Sequence, residues 1–331
     1  MGVDPGQAVR MGIATTVIAL GIALAGLAEP AASACPVPVF QYALEQWEAD
    51  PYVVVVHHEG ELDEPQRALV RWLRETADGE QGKANLTVGF RDYALAEAAP
   101  PPARELPYVE LRYPSVSEIR GAVLTTPLTR EALEGMLDSP LRQQLAEQLL
   151  ERKAAVWLML DSGDRRADHR VAELLKAELP RLERTLTVPD PAQWGLELAG
   201  IHQEIAFSML RLSRDDQAAE AALLKMLLGT EPDLHAYADQ PMVFVIYGRA
   251  LVMYALIGEG INARTVRLAG EFVTGPCSCQ VKAGNPGVDL LMRVDWAAKV
   301  EQRFDPVAVA PPVGPQRFLE RLHRTEQEEQ P

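Results

Sequence analysis

Apolar runs and amphipathic stretches alternate along most of the chain, and this alternation predicts a mixed α/β fold. Continuous apolar or β-branched runs are typical of buried strands. Such runs occur at residues 52–57, 85–90, 156–160, 205–212 and 242–247. Between them, apolar residues recur at helical spacing, most clearly at 63–77 and 167–186. That spacing gives each helix one apolar face, which has to be buried against a sheet.

One order of elements occurs twice: a proline, a strand, a turn, a second strand and a capped helix. Pro107 precedes the predicted cap Thr129 by 22 residues, and Pro241 precedes the predicted cap Asn262 by 21 residues. A strand, a helix and another strand come before each proline. The repeat predicts two compact α/β units, each with a mixed sheet flanked by helices. One larger α/β sheet without internal duplication is the alternative.

The repeat resembles the thioredoxin fold, in which a cis proline precedes the third strand and a C-terminal helix covers the sheet. Leu106-Pro107-Tyr108 and Gln240-Pro241-Met242 stand where that proline would be, so the resemblance implies cis bonds at Pro107 and Pro241. Thioredoxins carry two cysteines in the turn after the first strand. The corresponding turns here, residues 57–63 and 161–166, contain no cysteine. The resemblance therefore implies tandem units without thioredoxin redox chemistry, a type that commonly serves as a binding or spacer module.

The first 34 residues have the pattern of an export signal. Arg10 precedes an apolar run at 11–28, and small residues at 32–34 lie before Cys35. We predict cleavage before Cys35 and export to the periplasm or cell envelope. An uncleaved membrane anchor is the alternative, since the run approaches the length that spans a bilayer. Cys35 would be the first mature residue and is a candidate for lipidation, although Ala32 stands where lipoprotein signals usually carry leucine.

The remaining chain is predicted to divide into three parts. A first thioredoxin-like domain covers residues 35–153, and a second covers residues 154–300. Residues 301–331 form a proline-rich linker and a charged tail. The segments at 34–40 and 275–287 also resemble a family of exported proteins from planctomycete-type bacteria. That resemblance implies a compartment and no particular activity.

Charge restricts the class of partner. The net charge is −15 at pH 7, with a pI near 4.9. Binding to nucleic acid depends on cations that neutralise phosphates, and adsorption to anionic lipid depends on basic clusters. We therefore expect a protein partner in the envelope and no nucleic acid, with membrane contact only through an N-terminal anchor or lipid.

The Cys277-Ser278-Cys279 segment is the sharpest chemical feature. Two thiols one residue apart could form a strained, reactive disulfide or bind Cu(I), which thiolates favour. In an oxidising compartment, one of them could instead pair with Cys35 and leave one thiol over. Lipidation of Cys35 would leave Cys277 and Cys279 to each other. These three residues are the thiol candidates, Cys277 and Cys279 are the candidate metal ligands, and no other cofactor is predicted.

Two further polar groups are weaker candidates. His57-His58-Glu59 could bind a metal or transfer protons, but neighbouring residues on a strand point to opposite faces, which favours a solvated strand end. Asp161, Asp164 and Asp168 could form an ion site, or could simply be turn and helix-start residues. Asn85 begins a glycosylation sequon inside a predicted strand. We name no catalytic residue.

The sequence thus predicts a non-enzymatic, exported binding or scaffold module that meets a protein partner at a sheet edge or through its tail helix. The alternative is a thiol-disulfide or copper-handling protein that acts through Cys277 and Cys279. The two hypotheses differ in whether those thiols react.

Overall fold

The computed structural model describes residues 35–78, 84–95, 104–194, 200–213, 217–277 and 282–304. The predicted export signal and the predicted charged tail lie outside these residues, as does Cys279. The described chain is a mixed α/β structure with two mixed sheets, of four and five strands, flanked by helices, which confirms the predicted α/β class.

The first sheet has four strands in the order β3-β2-β4-β5. Strands β2 and β3 are parallel, and β4 runs antiparallel to both β2 and β5. The elements of this unit are β2 (Tyr52–His58), α2 (Glu64–Asp78), β3 (Leu86–Asp92), β4 (Tyr108–Arg112), β5 (Ala122–Pro127), α3 (Arg130–Leu137) and α4 (Pro140–Leu150). The Leu106–Pro107 peptide bond that leads into β4 is cis.

The second sheet has five strands in the order β11-β9-β8-β6-β7, with β6 and β7 parallel and the other neighbours antiparallel. Its elements are β6 (Ala155–Leu160), α5 (Arg165–Thr185), β7 (Phe207–Leu212), α6 (Gln217–Leu228), β8 (Met242–Tyr247), β9 (Leu251–Ile257), α7 (Ala263–Thr274) and β11 (Val288–Asp289). Helix α8 (Trp296–Arg303) follows. The Gln240–Pro241 bond is not cis, so the expectation of a cis bond at Pro241 is wrong.

Polar side chains start several helices as the sequence predicts. Thr129 accepts a hydrogen bond from the Ala132 N–H at the start of α3. Asn262 and Thr265 form a reciprocal capping box at the start of α7. Each cap supplies an acceptor to an N–H that has no partner within its helix.

The N-terminal segment packs with the second sheet. Strand β1 (Cys35–Pro38) pairs with β10 (Pro276–Cys277), and α1 (Val39–Glu45) follows it. Every residue of α1 is buried. Its apolar side chains join a core cluster with α5, α7 and one face of the five-stranded sheet. Residues 37–47, which the sequence prediction places in the first domain, therefore pack with the second.

The other core cluster is shared by both units. It contains Val54 and Leu111 of the first sheet together with Leu158 and Phe244 of the second, and the helices α3, α4 and α6 contribute to it. The opposite face of the four-stranded sheet differs. None of the described helices contributes to a core cluster there, and Val53, Val55 and Glu110 remain partly exposed. Among the described residues, helices therefore cover one face only of the four-stranded sheet.

Candidate functional site

The predicted thiol site is only partly described. Cys277 is fully buried in β10, and its Cα lies opposite that of Cys35 in the ladder with β1. Cys279 lies outside the described residues, so the predicted Cys277–Cys279 pair, as disulfide or Cu(I) site, remains a prediction. In the part of the chain that the structure describes, no group of three or more histidine, cysteine, aspartate and glutamate residues is placed to hold a metal ion.

His57 belongs to a packed aromatic cluster at the C-terminal end of β2. Its ring stacks on the ring of Tyr108, with 4.4 Å between centroids, and its Nδ1 lies 3.0 Å from the Tyr93 hydroxyl. The side chain is 4% exposed, so the expectation of a solvated strand end is wrong at His57, where neighbouring aromatic rings cover the imidazole. Its Nε2 has no hydrogen-bond partner among the described residues and lies 3.9 Å from Glu110 Oε2. An imidazole enclosed in this way is placed as a core side chain, with little access for proton exchange with solvent.

The electrostatics of the cluster agree with that placement. Burial lowers the pKa of His57 below its usual 6.5, and the Glu110 carboxylate opposes this change only in part. Glu110 is itself paired with Arg112. Burial also raises the pKa of the Tyr108 phenol to about 12, assisted by its hydrogen bond with Tyr93. At neutral pH the His57 imidazole and the Tyr108 phenol are therefore both uncharged.

His58 faces the other way from His57. Its Nδ1 lies 2.8 Å from the Gly60 carbonyl oxygen, and the Gly60 N–H donates to Asp92. The two adjacent histidines therefore do not share an ion, as strand geometry predicts. The turn after β2 is closed by these internal bonds.

The corresponding turn of the second unit is closed by Asp168. This buried carboxylate accepts hydrogen bonds from the Ser162 N–H, the Ser162 hydroxyl and the Gly163 N–H. Asp164 caps α5, and Asp161 pairs with Arg211. The three aspartates that the sequence singled out thus act as turn and helix-start residues, which is the second of the two interpretations.

Asn85 of the sequon is a structural residue. Its side-chain oxygen accepts from the Met292 N–H, and its side-chain nitrogen donates to the carbonyls of Asp50 and Leu290. The amide thus joins the first sheet to the segment before α8. A glycan on this nitrogen replaces one of its two hydrogens and would therefore remove at least one of these hydrogen bonds.

A buried ion cluster between the two units was missed by the sequence reasoning. The Lys282 ammonium donates to the Glu48 carbonyl at 2.6 Å, to the Asp50 carboxylate at 2.9 Å and to the Asp289 carboxylate. Burial raises the pKa of Asp289 to about 7, and the Lys282 ammonium opposes this shift. All three ammonium protons are engaged. The cluster lies on the wall of a cavity of about 700 Å³. Two exposed apolar side chains, Val116 and Tyr254, also line it.

An open sheet edge forms the second surface between the units. Strand β5 is the last strand of its sheet and pairs only with β4. Two hollows of about 840 and 460 Å³ lie along it, and both are lined by β5 on one side and by Lys225 of α6 on the other. Together they form a groove, called here the β5 groove. It exposes a strand edge where a further strand could pair.

Comparisons with known proteins give no family assignment. No protein-family model matches this sequence, and no curated protein matches it. Among the described residues, no helix is both long enough and apolar enough to cross a membrane.

Proposed function

We propose that this chain is an exported, non-catalytic binding module that captures an extended segment of a protein partner along β5. In this proposal the chain is built from two divergent thioredoxin-like units. The shared strand order supports that kinship, because in both sheets the first strand of the unit lies between a parallel and an antiparallel neighbour. The cis bond at Pro107 agrees with it.

The single observation that carries the proposal is the open edge of β5. An edge strand presents unpaired N–H and C=O groups, and proteins commonly protect such edges with charged side chains. The β5 sequence, from Ala122 to Pro127, contains no charged residue. An uncharged edge that faces a groove is suited to the addition of a strand, since backbone hydrogen bonds then supply the affinity.

The register identifies which backbone group is available. The Leu128 N–H donates to the Pro107 carbonyl next to the β4–β5 ladder. Hydrogen-bonded and non-bonded pairs alternate along an antiparallel ladder. Thr126 and Val109 therefore form a hydrogen-bonded pair, as Leu128 and Pro107 do. Thr125 and Glu110 form a non-hydrogen-bonded pair. The N–H and C=O of Thr125 therefore point away from β4, toward an added strand.

The residues that line the groove indicate a partner segment that carries charges of both signs rather than a high net charge. Glu118, Arg120, Lys225, Glu231 and His235 surround its larger hollow, so charges of both signs are present. Apolar walls come from Ile119, Val123 and Leu228. An extended segment with small apolar side chains and a balance of charges would fit these walls.

The closed turns support a role without thiol chemistry. In each unit, the turn after the first strand is filled by its own hydrogen bonds, through Asp92 in one and Asp168 in the other. Cys277, the described thiol of the alternative function, is fully buried. These placements favour surface recognition over exchange of metal or electrons with a soluble partner.

The test is selection of short random peptides on the full-length protein, followed by affinity measurement with two variants. Thr125→Pro removes the outward N–H, and proline is tolerated on an edge strand where no ladder bond is lost. Thr125→Ala keeps that N–H and is the matched control. We expect the selected peptides to bind wild type and Thr125→Ala alike, and to bind Thr125→Pro about fivefold more weakly, since one hydrogen bond contributes about 1 kcal/mol.

Hydrogen exchange gives a second measure that does not depend on a variant. We expect the bound peptide to slow exchange of the Thr125 amide. Equal peptide binding by folded Thr125→Pro, unchanged exchange at β5, or failure to select any peptide would contradict the proposal.

A further inference from the structure

We infer that the uncovered face of the four-stranded sheet binds an acidic segment of a protein partner that also carries an apolar side chain. Residues that are paired on neighbouring strands point to the same face of a sheet. Val55 of β2 is paired with Gly89 of β3 and with Glu110 of β4, on the face opposite the described helices. This surface is called here the open face, and the residues that describe it are Val53, Val55, Gly89, Arg91, Glu110 and Arg112.

The centre of the open face is apolar and shallow. Val53 and Val55 are partly exposed. A Cβ built on Gly89 would have no other atom within 4 Å, so the space above this residue is open. An apolar side chain of a partner could therefore lie over Gly89 against Val55, where its contact removes apolar surface from water.

Two guanidinium groups with free N–H donors lie at one end of this face. The Arg91 guanidinium carbon lies 5.3 Å from the centre of the Tyr93 ring, and that of Arg104 lies 5.4 Å from the centre of the Tyr108 ring. Both arginines are exposed, and in the described part of the chain neither guanidinium has a hydrogen bond or an ion pair. The ring contacts position each guanidinium and leave the N–H groups at its edge free to bind a carboxylate.

The local charge is opposite in sign to that of the whole chain. The charged groups that act on the nearby His57 are one carboxylate, Glu110, and the guanidiniums of Arg91, Arg104 and Arg112. Glu110 is paired with Arg112, which leaves the other two positive charges unneutralised.

This local excess of positive charge indicates the kind of partner. Opposite charges across an interface direct association, so a positive patch on a chain of net charge −15 favours an acidic segment. A long polyanion would meet repulsion from the rest of the surface. The segment is therefore short and acidic. The open face is distinct from the edge of β5, so this inference does not depend on binding in the β5 groove.

The test is binding of a short labelled peptide, with several glutamates around one phenylalanine, to the full-length protein at low ionic strength. The same peptide with glutamine in place of glutamate is the reference. We expect the acidic peptide to bind more tightly than the reference, although the net charge of the protein repels it. Arg91→Gln should weaken its binding about threefold and Arg91→Gln/Arg104→Gln about tenfold, as expected for one and two partly exposed charge pairs.

Two matched controls separate the open face from the overall charge. Arg264→Gln removes the same charge from an exposed position on α7 of the second unit and should bind the peptide as wild type does. Gly89→Glu and Gly89→Gln place side chains of equal size in the open space, so Gly89→Glu should bind about threefold more weakly than Gly89→Gln. No preference for the acidic peptide, equal binding by the two Gly89 variants, or an equal loss in Arg264→Gln and Arg91→Gln would overturn the inference.

The same measurements identify any other occupant. Thr125→Pro should bind the acidic peptide as wild type does. A loss in that variant would place the peptide in the β5 groove and overturn this inference alone. Dimer formation that Arg91→Gln abolishes would assign the open face to a second copy of the chain. Tighter binding by Glu328→Gln/Glu329→Gln would assign it to the chain's own tail, and either result would overturn the inference.

Discussion

Replacement of Arg142 by methionine tests how the two units are held together. This guanidinium is 1% exposed and lies at the start of α4, inside the core shared by both sheets. It donates to the carbonyls of Gly135 and Met136 at the end of α3, to the carbonyl of Leu291, and to the Ser139 hydroxyl. It thus satisfies helix-end acceptors in the first unit and an acceptor in the segment that follows β11.

The expected loss of stability follows from two opposing contributions. Burial lowers the pKa of Arg142 from its usual value to about 10, which corresponds to a cost of roughly 3 kcal/mol for holding the charge. Methionine removes that cost but leaves three carbonyl oxygens without a donor, at about 2 kcal/mol each. The net expectation for Arg142→Met is a destabilisation of about 3 kcal/mol, measured as the free energy of unfolding in urea.

Arg303→Met is the matched control. Arg303 lies on α8 and forms a partly exposed ion pair with Glu147 of α4. Pairs of this kind contribute about 0–1 kcal/mol, so the control should unfold nearly as wild type does. If Arg142→Met were as stable as wild type or more stable, the cost of burying the guanidinium would outweigh its hydrogen bonds. The role assigned to Arg142 would then be wrong.

Two further predictions concern the histidine cluster and the N-terminal segment. Because the folded pKa of His57 lies below its unfolded value of 6.5, its stabilising contribution is present above pH 6.5 and is lost as pH falls through the folded pKa. His57→Phe should therefore show less loss of unfolding free energy between neutral and mildly acidic pH than wild type, and an equal loss would contradict this. Gly248 has φ +59, and an added Cβ would lie 2.5 Å from the Ala43 Cβ of α1, so Gly248→Ala should lower stability by about 2 kcal/mol. Gly60→Ala, at φ +69 with no atom within 4 Å, is the control that isolates backbone strain from the clash.

Much of the fold follows from local patterns. The buried strand at 52–57, the helix after it and the caps at Thr129 and Asn262 were all predicted, because each depends on residues close in sequence. The course of the N-terminal segment was not predicted. Residues 37–47 are apolar, but apolarity alone does not say which sheet they cover, and they pack about 200 residues away against α7.

The surfaces between the units were less predictable for the same reason. Lys282 bonds to Glu48 and Asp50 across more than 230 positions, so no periodicity or motif marks the cluster. The resemblance to the thioredoxin fold predicts a cis bond before both Pro107 and Pro241. The structure has a cis bond before Pro107 and not before Pro241. The difference shows that similar sequence order around a proline does not determine its local backbone.

The choice of β5 as the binding edge rests on comparison with the other three edges of the four-stranded and five-stranded sheets. Strand β11 has only two residues, too few to template a partner strand. The Phe207 N–H at the start of β7 already donates a hydrogen bond to the Glu183 carboxylate. Strand β3 ends in Arg91 and Asp92, charges of the kind that protect an exposed edge. Strand β5 has six residues, no charge and a groove along its length. A partner that adds a strand would therefore meet fewer obstacles at β5 than at the other three edges of these two sheets.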